Sequence, residues 1–152
     1  MDEERAQTIM QLTGAWRLVA SKFIDAGGNV IYPLGEDAFG LAIFTESGYM
    51  SAQLMRPNRP RFAADSQALG TPEEVQHAFQ GYVAYCGRSE VDVEQGTITT
   101  RVEGSLYPNW VGGVQVRYYE LTDDQLVLRT PPIRLGEAEM TGVLTWRRLR
   151  ES

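Results

Sequence analysis

The segment Gly104-Ser105-Leu106-Tyr107-Pro108-Asn109-Trp110-Val111-Gly112-Gly113 lies between two runs with strand character. It carries more aromatic residues than a connecting turn requires, since a turn needs only glycine and small polar residues. The runs on either side, 97–103 and 114–121, each alternate an apolar face with a face that mixes polar and large side chains. We interpret the segment as the mouth or floor of a cavity that these strands enclose. A wide turn whose Trp110 indole plugs one end of the sheet is the structural alternative.

Short alternating runs separated by Gly, Asn, Asp and Ser turns recur along the rest of the chain. They cover 14–26, 30–32, 41–45, 49–55, 82–91, 97–103, 114–121, 125–130 and 141–149. In the first run, the spacing places Trp16, Leu18 and Ala20 on one face, and Arg17, Val19 and Ser21 on the other. Hairpin spacing of this kind, without alternation of strands and helices, predicts an all-β fold: an antiparallel up-and-down barrel of about 8–10 strands.

One short helix is predicted at about residues 72–80. Thr71 is placed as the N-cap, Pro72 as the first helical residue, and Glu74 at the capping-box position. Residues 56–70 are predicted as a solvated crossover loop, with a binding lid as the alternative, and 134–140 as a loop. We predict a single domain over residues 1–152. Its N-terminal arm, 1–12, is helical and caps one end of the barrel through Ile9, Met10 and Leu12, or is a frayed terminus.

Composition excludes several classes of function. The net charge is −6 with a single lysine and no basic cluster, which argues against nucleic acid and anionic membranes as partners. No stretch approaches the roughly 20 apolar residues of a membrane span, and the acidic N-terminus is unlike a secretory signal. Cys86 and His77 are each the sole residue of their type, so we expect no disulfide, no metal site and no cofactor. A cytoplasmic protein is predicted, and a homo-oligomer is compatible with these features.

Several motifs resemble a known family. Gly14-Ala15-Trp16 is similar to the Gly-x-Trp that opens the first strand of lipocalins and their calycin relatives, and Arg147-Arg148 offers an arginine to pack over Trp16. A longer set of motifs between residues 12 and 148 resembles the bacterial and fungal lipocalin-like domain family. This set comprises Trp16-Arg17-Leu18-Val19, Tyr32-Pro33-Leu34-Gly35, Gly48-Tyr49-Met50-Ser51, Gly70-Thr71-Pro72-Glu73-Glu74, Gly81-Tyr82-Val83-Ala84-Tyr85, Val102 to Trp110, and Leu128-Arg129-Thr130-Pro131-Pro132. The resemblance implies a lipocalin-like barrel with a central cavity for a small molecule. It also implies an alternative, because some lipocalin-like proteins of microbial secondary metabolism are isomerases or cyclases.

The candidate ligand-binding residues are the polar and aromatic members of the mixed strand faces and of the opening segment: Tyr49, Gln53, Tyr85, Glu103, Trp110, Arg117 and Arg129. In one interpretation, the charged members and Arg101 form a solvated outer face with cross-strand ion pairs. In the other, some of them point into the cavity and hold the polar end of a small apolar or amphipathic ligand.

No catalytic motif is present, so catalytic residues are not assigned. The first hypothesis is a binder of a small, mostly apolar molecule. The second is an isomerase or cyclase that uses Glu103, Tyr49, Tyr85 or Arg117 in acid–base chemistry. The third is an interaction module whose barrel is filled by its own side chains.

Overall fold

Eight strands close on one another as an antiparallel barrel, which confirms the predicted all-β fold. The computed structural model describes residues 2–150. Its strands are β1 (Gly14–Asp25), β2 (Val30–Ile31), β3 (Phe39–Phe44), β4 (Tyr49–Met55), β5 (Tyr82–Asp92), β6 (Thr97–Ser105), β7 (Val114–Leu121), β8 (Gln125–Arg129), β9 (Ile133–Leu135) and β10 (Ala138–Arg148). The strand order is β2-β1-β3-β4-β5-β6-β7-β8-β10-β9, and β1 also pairs with β10. This last pairing closes the barrel, while the short β2 and β9 extend its rim.

The seam between β1 and β10 contains a bulge. The register runs from Trp16 opposite Arg148 to Asp25 opposite Met140, and it shifts between Leu18 and Ala20. An extra residue reverses the faces that follow it. Ser21 is therefore buried inside the barrel at 4% exposure, opposite Leu144, and the predicted alternation through Ala20 is wrong beyond Leu18.

The helix α1 (Asp2–Leu12) covers one end of the barrel. Leu12 is buried, its carbonyl accepts a hydrogen bond of 2.9 Å from Trp16 Nε1, and Ile9 packs on the same core. Arg5 Nε donates to the carbonyl oxygen of Val91 at 3.1 Å, which ties the helix to the end of β5. The helical arm and its capping role are thus confirmed for Ile9 and Leu12. Met10 is 69% exposed, because it lies on the opposite side of the helix.

The half of the barrel next to α1 is solidly packed. Trp16, Phe44, Leu126 and Trp146 are each at most 3% exposed. The Arg148 guanidinium lies 4.3 Å from the centre of the Trp16 ring, as the resemblance implied. This end of the barrel is therefore closed.

The second helix, α2 (Pro72–Gln80), begins at the predicted capping box. Both reciprocal bonds of the box, between Thr71 and Glu74, are present. The preceding loop is fastened to this helix, because Arg59 Nη1 donates to the carbonyl of Ala78 at 3.0 Å and the Ala63 amide donates to Glu74 Oε2 at 2.8 Å. Within residues 2–150, no helix is long and apolar enough to cross a membrane.

The expectation of a loop over 134–140 is wrong. Residues there form the hairpin of β9 with the start of β10, and Gly136 at φ 69° makes the tight turn. The segment alternates charged with apolar residues, so its polarity concealed its strand character.

Candidate functional site

The inner wall of the barrel is accessible at the end opposite α1. Residues that face one another across an antiparallel pair share a face of the sheet, so the register identifies the inner row of each strand. Tyr85 is opposite Ala52 and Val83 is opposite Leu54, both buried residues of β4. Inward-facing residues that nevertheless remain partly exposed include Phe23, Val83, Tyr85, Ser105, Gln115, Arg117 and Leu144. The open half of the barrel thus presents a wall that a small molecule can contact.

Two polar residues of β7 lie on this inner wall. Gln115 is opposite Thr100 and Arg117 is opposite Ile98, and both partners on β6 are buried. Arg117 Nη2 donates to Gln115 Oε1 at 3.0 Å, and Nη1 donates to the carbonyl of Val116 at 2.9 Å. No carboxylate among residues 2–150 forms an ion pair with Arg117. Its positive charge is consequently uncompensated inside the barrel.

The aromatic segment that follows β6 stands beside this wall. Its C-terminal end is fixed to Val102, because the Val102 amide donates to the Gly113 carbonyl and the Gly112 amide donates to the Val102 carbonyl, both at 2.9 Å. The Trp110 ring contacts Tyr85 and Tyr107 edge to face, with centroid separations of 5.6 Å in both pairs. Quadrupoles favour this perpendicular arrangement. Trp110 is therefore held against the inward-facing Tyr85 at the open end.

Three of the predicted site residues lie on the outer face: Tyr49, Gln53 and Arg129. On β4 the buried inner row is Met50, Ala52 and Leu54, so Tyr49 and Gln53 alternate with it. Each makes surface contacts instead: Tyr49 with Arg88, whose guanidinium lies 4.8 Å from the ring centre; Gln53 with the Tyr82 hydroxyl; and Arg129 with Glu120 as an exposed ion pair. The structure does not bring these three residues together with the others, and ligand binding by them stays a prediction.

Comparison with known proteins agrees with this architecture. The model of the lipocalin-like domain family matches residues 13–149. The chain belongs to the lipocalin-like domain family. The 4'-hydroxy-3'-methoxypropiophenone carrier protein ppsC of Aspergillus oryzae is 40% identical over 107 residues, which are 66% of this chain and 96% of that protein. No solved structure gave a significant match.

In this lipocalin-like barrel, Glu103 lies at an irregularity of the strand pairing and not in the inner row with Tyr85. The pairing of β5 with β6 is irregular between Cys86 and Gly87, and Glu103 has no partner in the register. It is exposed, whereas Tyr85 is half-buried and faces inward, and in the part of the chain that the structure describes no hydrogen bond joins the two. The structure therefore does not join these two candidates for acid–base chemistry by a hydrogen bond, and the role of Glu103 stays a prediction.

Sequence reasoning missed Gln115 and Phe23 as members of the wall. Gln115 had a readable signal, since it lies two residues before Arg117 and so shares its face. Phe23 had none, because the bulge at the start of β1 reverses its side. A Cβ atom on Gly142 would lie 2.9 Å from the Phe23 ring, which shows that this ring occupies the space above Gly142 inside the barrel.

Two surface pockets lie apart from this wall. One, of 620 Å³, is lined by Ala78 and residues of the 59–67 loop. The other, of 440 Å³, is lined by Asp2 and Arg5 of α1 together with residues of β5 and β6. Neither includes Tyr85, Trp110 or Arg117. The first is a cleft between a fastened loop and α2, and the second is largely acidic.

Proposed function

We propose that this chain is a carrier that binds a small, mostly apolar molecule in the open half of its barrel. The observation that carries the proposal is the inner wall itself. It combines accessible apolar and aromatic side chains, such as Val83, Tyr85 and Leu144, with the polar pair Gln115 and Arg117. Apolar walls with a few placed polar groups are the usual composition of ligand sites.

The similar Aspergillus protein supports this proposal and suggests a first ligand to test. Its name describes a carrier of 4'-hydroxy-3'-methoxypropiophenone, a small aromatic ketone. A planar ring of this kind suits a wall that includes Tyr85 and the edge-on Trp110. We therefore propose an aromatic ketone or a molecule of similar size as the cargo. No feature of the site favours the isomerase or cyclase alternative, since Glu103 is exposed and has no partner in the register of β5 with β6.

The test is calorimetric titration of the protein with 4'-hydroxy-3'-methoxypropiophenone. We expect saturable binding at one site, weakened at least about tenfold by Tyr85→Ala, because loss of a buried aromatic contact costs about 1.4 kcal/mol or more. Tyr118→Ala is the matched control, since Tyr118 lies on the outer face of β7 and is 49% exposed. Equal affinities of the two variants would place the ligand elsewhere, and absence of binding to the wild type would remove the support for this cargo.

Location and assembly belong to the same proposal. We propose a cytoplasmic protein, because the chain has one cysteine, Cys86, and so depends on no intrachain disulfide. A homo-oligomer is proposed through the outer face of β3, where Phe39 and Ile43 are each 42% exposed. Cell fractionation and sedimentation velocity test these two statements.

A further inference from the structure

We propose that Arg117 makes the barrel selective for ligands whose apolar body carries one ionised oxygen, a phenolate or a carboxylate, over neutral molecules of the same shape. This inference rests on the proposed carrier function and adds the chemical class of the cargo. It assigns Arg117 the role of a specificity-determining residue that contacts the ligand.

The position of Arg117 supports this role. It lies on the inner row of β7 between Gln115, toward the open end, and Tyr119, toward α1. The inner residues opposite and beside it on β6 are Ile98 and Thr100, which are 3% and 4% exposed. An anion that reaches this depth leaves most of its water behind, and a direct bond from a cation replaces that hydration.

The charges around the site favour an anion. On β8 and β10 the inward-facing residues near Arg117 are uncharged, namely Leu128, Thr130, Gly142 and Leu144. Burial raises the pKa of the Tyr119 hydroxyl, so this neighbour stays neutral in the physiological range. At the rim, Asp25 is engaged with Asn29, and the side-chain hydrogen bond from Asn29 lowers its pKa. Arg148 belongs to the closed end, over Trp16. Among the described residues of the inner strand rows, Arg117 is thus the cation on the wall of the open half.

Hydrogen bonds also hold the Arg117 guanidinium in a fixed orientation. Gln115 Oε1 and the Val116 carbonyl accept hydrogen bonds from two of its nitrogens, which restricts the side chain while other N–H groups have no partner in the described structure. On the outer face of the barrel, Arg129 pairs instead with a carboxylate, that of Glu120. An arginine left without a carboxylate on the inner wall, and held in place by an amide, has the properties of an anion-binding group.

The experiment compares ionised and neutral ligands of the same shape. The phenol arm uses 4'-hydroxy-3'-methoxypropiophenone and its neutral methyl ether, 3',4'-dimethoxypropiophenone. The acid arm uses 3,4-dimethoxybenzoate and its methyl ester. Dissociation constants are measured by calorimetry from pH 6 to pH 9 for the wild type, Arg117→Gln and Arg117→Lys. Arg101→Gln is the control, because Arg101 is exposed on the outer face of β6.

We expect the wild type to bind at least one ionised ligand about 10- to 100-fold more tightly than its neutral partner, the range for a hydrogen bond to a charged group. If the phenol is that ligand, its affinity rises as pH increases through the pKa of the phenol, because the phenolate forms. The affinity of the neutral ether stays constant over the same range. Arg117→Gln loses the preference, Arg117→Lys keeps part of it, and Arg101→Gln keeps all of it. Circular dichroism melting of each variant separates these effects from misfolding.

Two outcomes overturn the inference and are distinguishable from failure of the carrier function. If the wild type binds ionised and neutral ligands equally, the carrier function stands and the selectivity is wrong. If the preference persists in Arg117→Gln, another group recognises the charge. If none of these ligands binds the wild type, the carrier proposal for this class of cargo fails, and the inference fails with it.

Discussion

Arg148→Met tests how the closed end of the barrel is held. Arg148 Nε donates to the Asp123 carbonyl at 2.7 Å, Nη1 donates to the Thr13 carbonyl at 3.2 Å, and Nη2 donates to the Gln11 carbonyl. The guanidinium also covers the Trp16 ring at 4.3 Å. One side chain therefore joins the end of α1, the start of β1 and the β7–β8 turn. Methionine keeps much of the apolar stem and removes every one of these donors.

The expected loss is worked from these contacts. The cation–π contact contributes about 0.5–2 kcal/mol, and each charged hydrogen bond contributes about 1.5 kcal/mol, the lower end of its range, because the site is partly exposed. Contributions within one network are not additive. We therefore expect the free energy of unfolding to fall by about 2–4 kcal/mol, which corresponds to about 5–15 °C in Tm for a domain of this size.

Urea denaturation followed by circular dichroism measures this loss. Arg147→Met is the control, since Arg147 is the exposed neighbour on β10 and faces outward. We expect a change of at most about 0.5 kcal/mol for that variant. A loss below about 1 kcal/mol for Arg148→Met, or an equal loss for both variants, would refute the assignment of Arg148 as the link that closes this end.

Two further variants probe the β5–β6 bulge and the start of α2. Gly87→Ala should destabilise the barrel by more than about 3 kcal/mol or prevent folding, because its Cβ would lie 1.9 Å from the Arg101 carbonyl oxygen. Gly104→Ala is the control, since the nearest atom to its Cβ would be 3.4 Å away. Equal denaturation midpoints of the two variants would contradict the clash at Gly87. Glu74→Gln should lower Tm at neutral pH. Hydrogen bonds from the backbones of Thr71 and Ala63 lower the pKa of Glu74, so its stabilisation is present above the usual glutamate pKa of about 4.3 and is lost as pH falls through the lowered value. A Tm difference that persists unchanged at about pH 2 would contradict this cause.

Local chemistry made α2 predictable. A capping box depends on the side chains of Thr71 and Glu74 and on the fixed φ of Pro72, and each acts within one turn of the chain. The arginine over Trp16 was predicted in a different way, from the resemblance to lipocalins, and the structure places Arg148 there. The helix could be predicted without knowledge of the remaining chain, whereas the position of the arginine came from a pattern that the family shares.

The candidate site was less predictable because its members come from separate strands. The alternation on β7 grouped Gln115 with Arg117, but the same pattern fits a solvated outer face. The alternation on β4 likewise gave two rows, and the row with Tyr49 and Gln53 is the outer one. An alternation of side chains with a period of two separates the two faces of a strand, but it does not indicate which face meets the core.

The sequence by itself determined that the chain forms many short antiparallel strands and a capped helix at 72–80, since periodicity and capping are local properties. Tertiary structure decided which faces turn inward, because β1 must pair with β10 to close the barrel and the bulge after Leu18 reverses the side of every residue beyond it. Tertiary structure also decided that the aromatic segment 104–113 stands against Tyr85 at the open end. Two backbone bonds to Val102 hold its C-terminal end, and no pattern along the chain encodes the contact of Trp110 with Tyr85 on another strand.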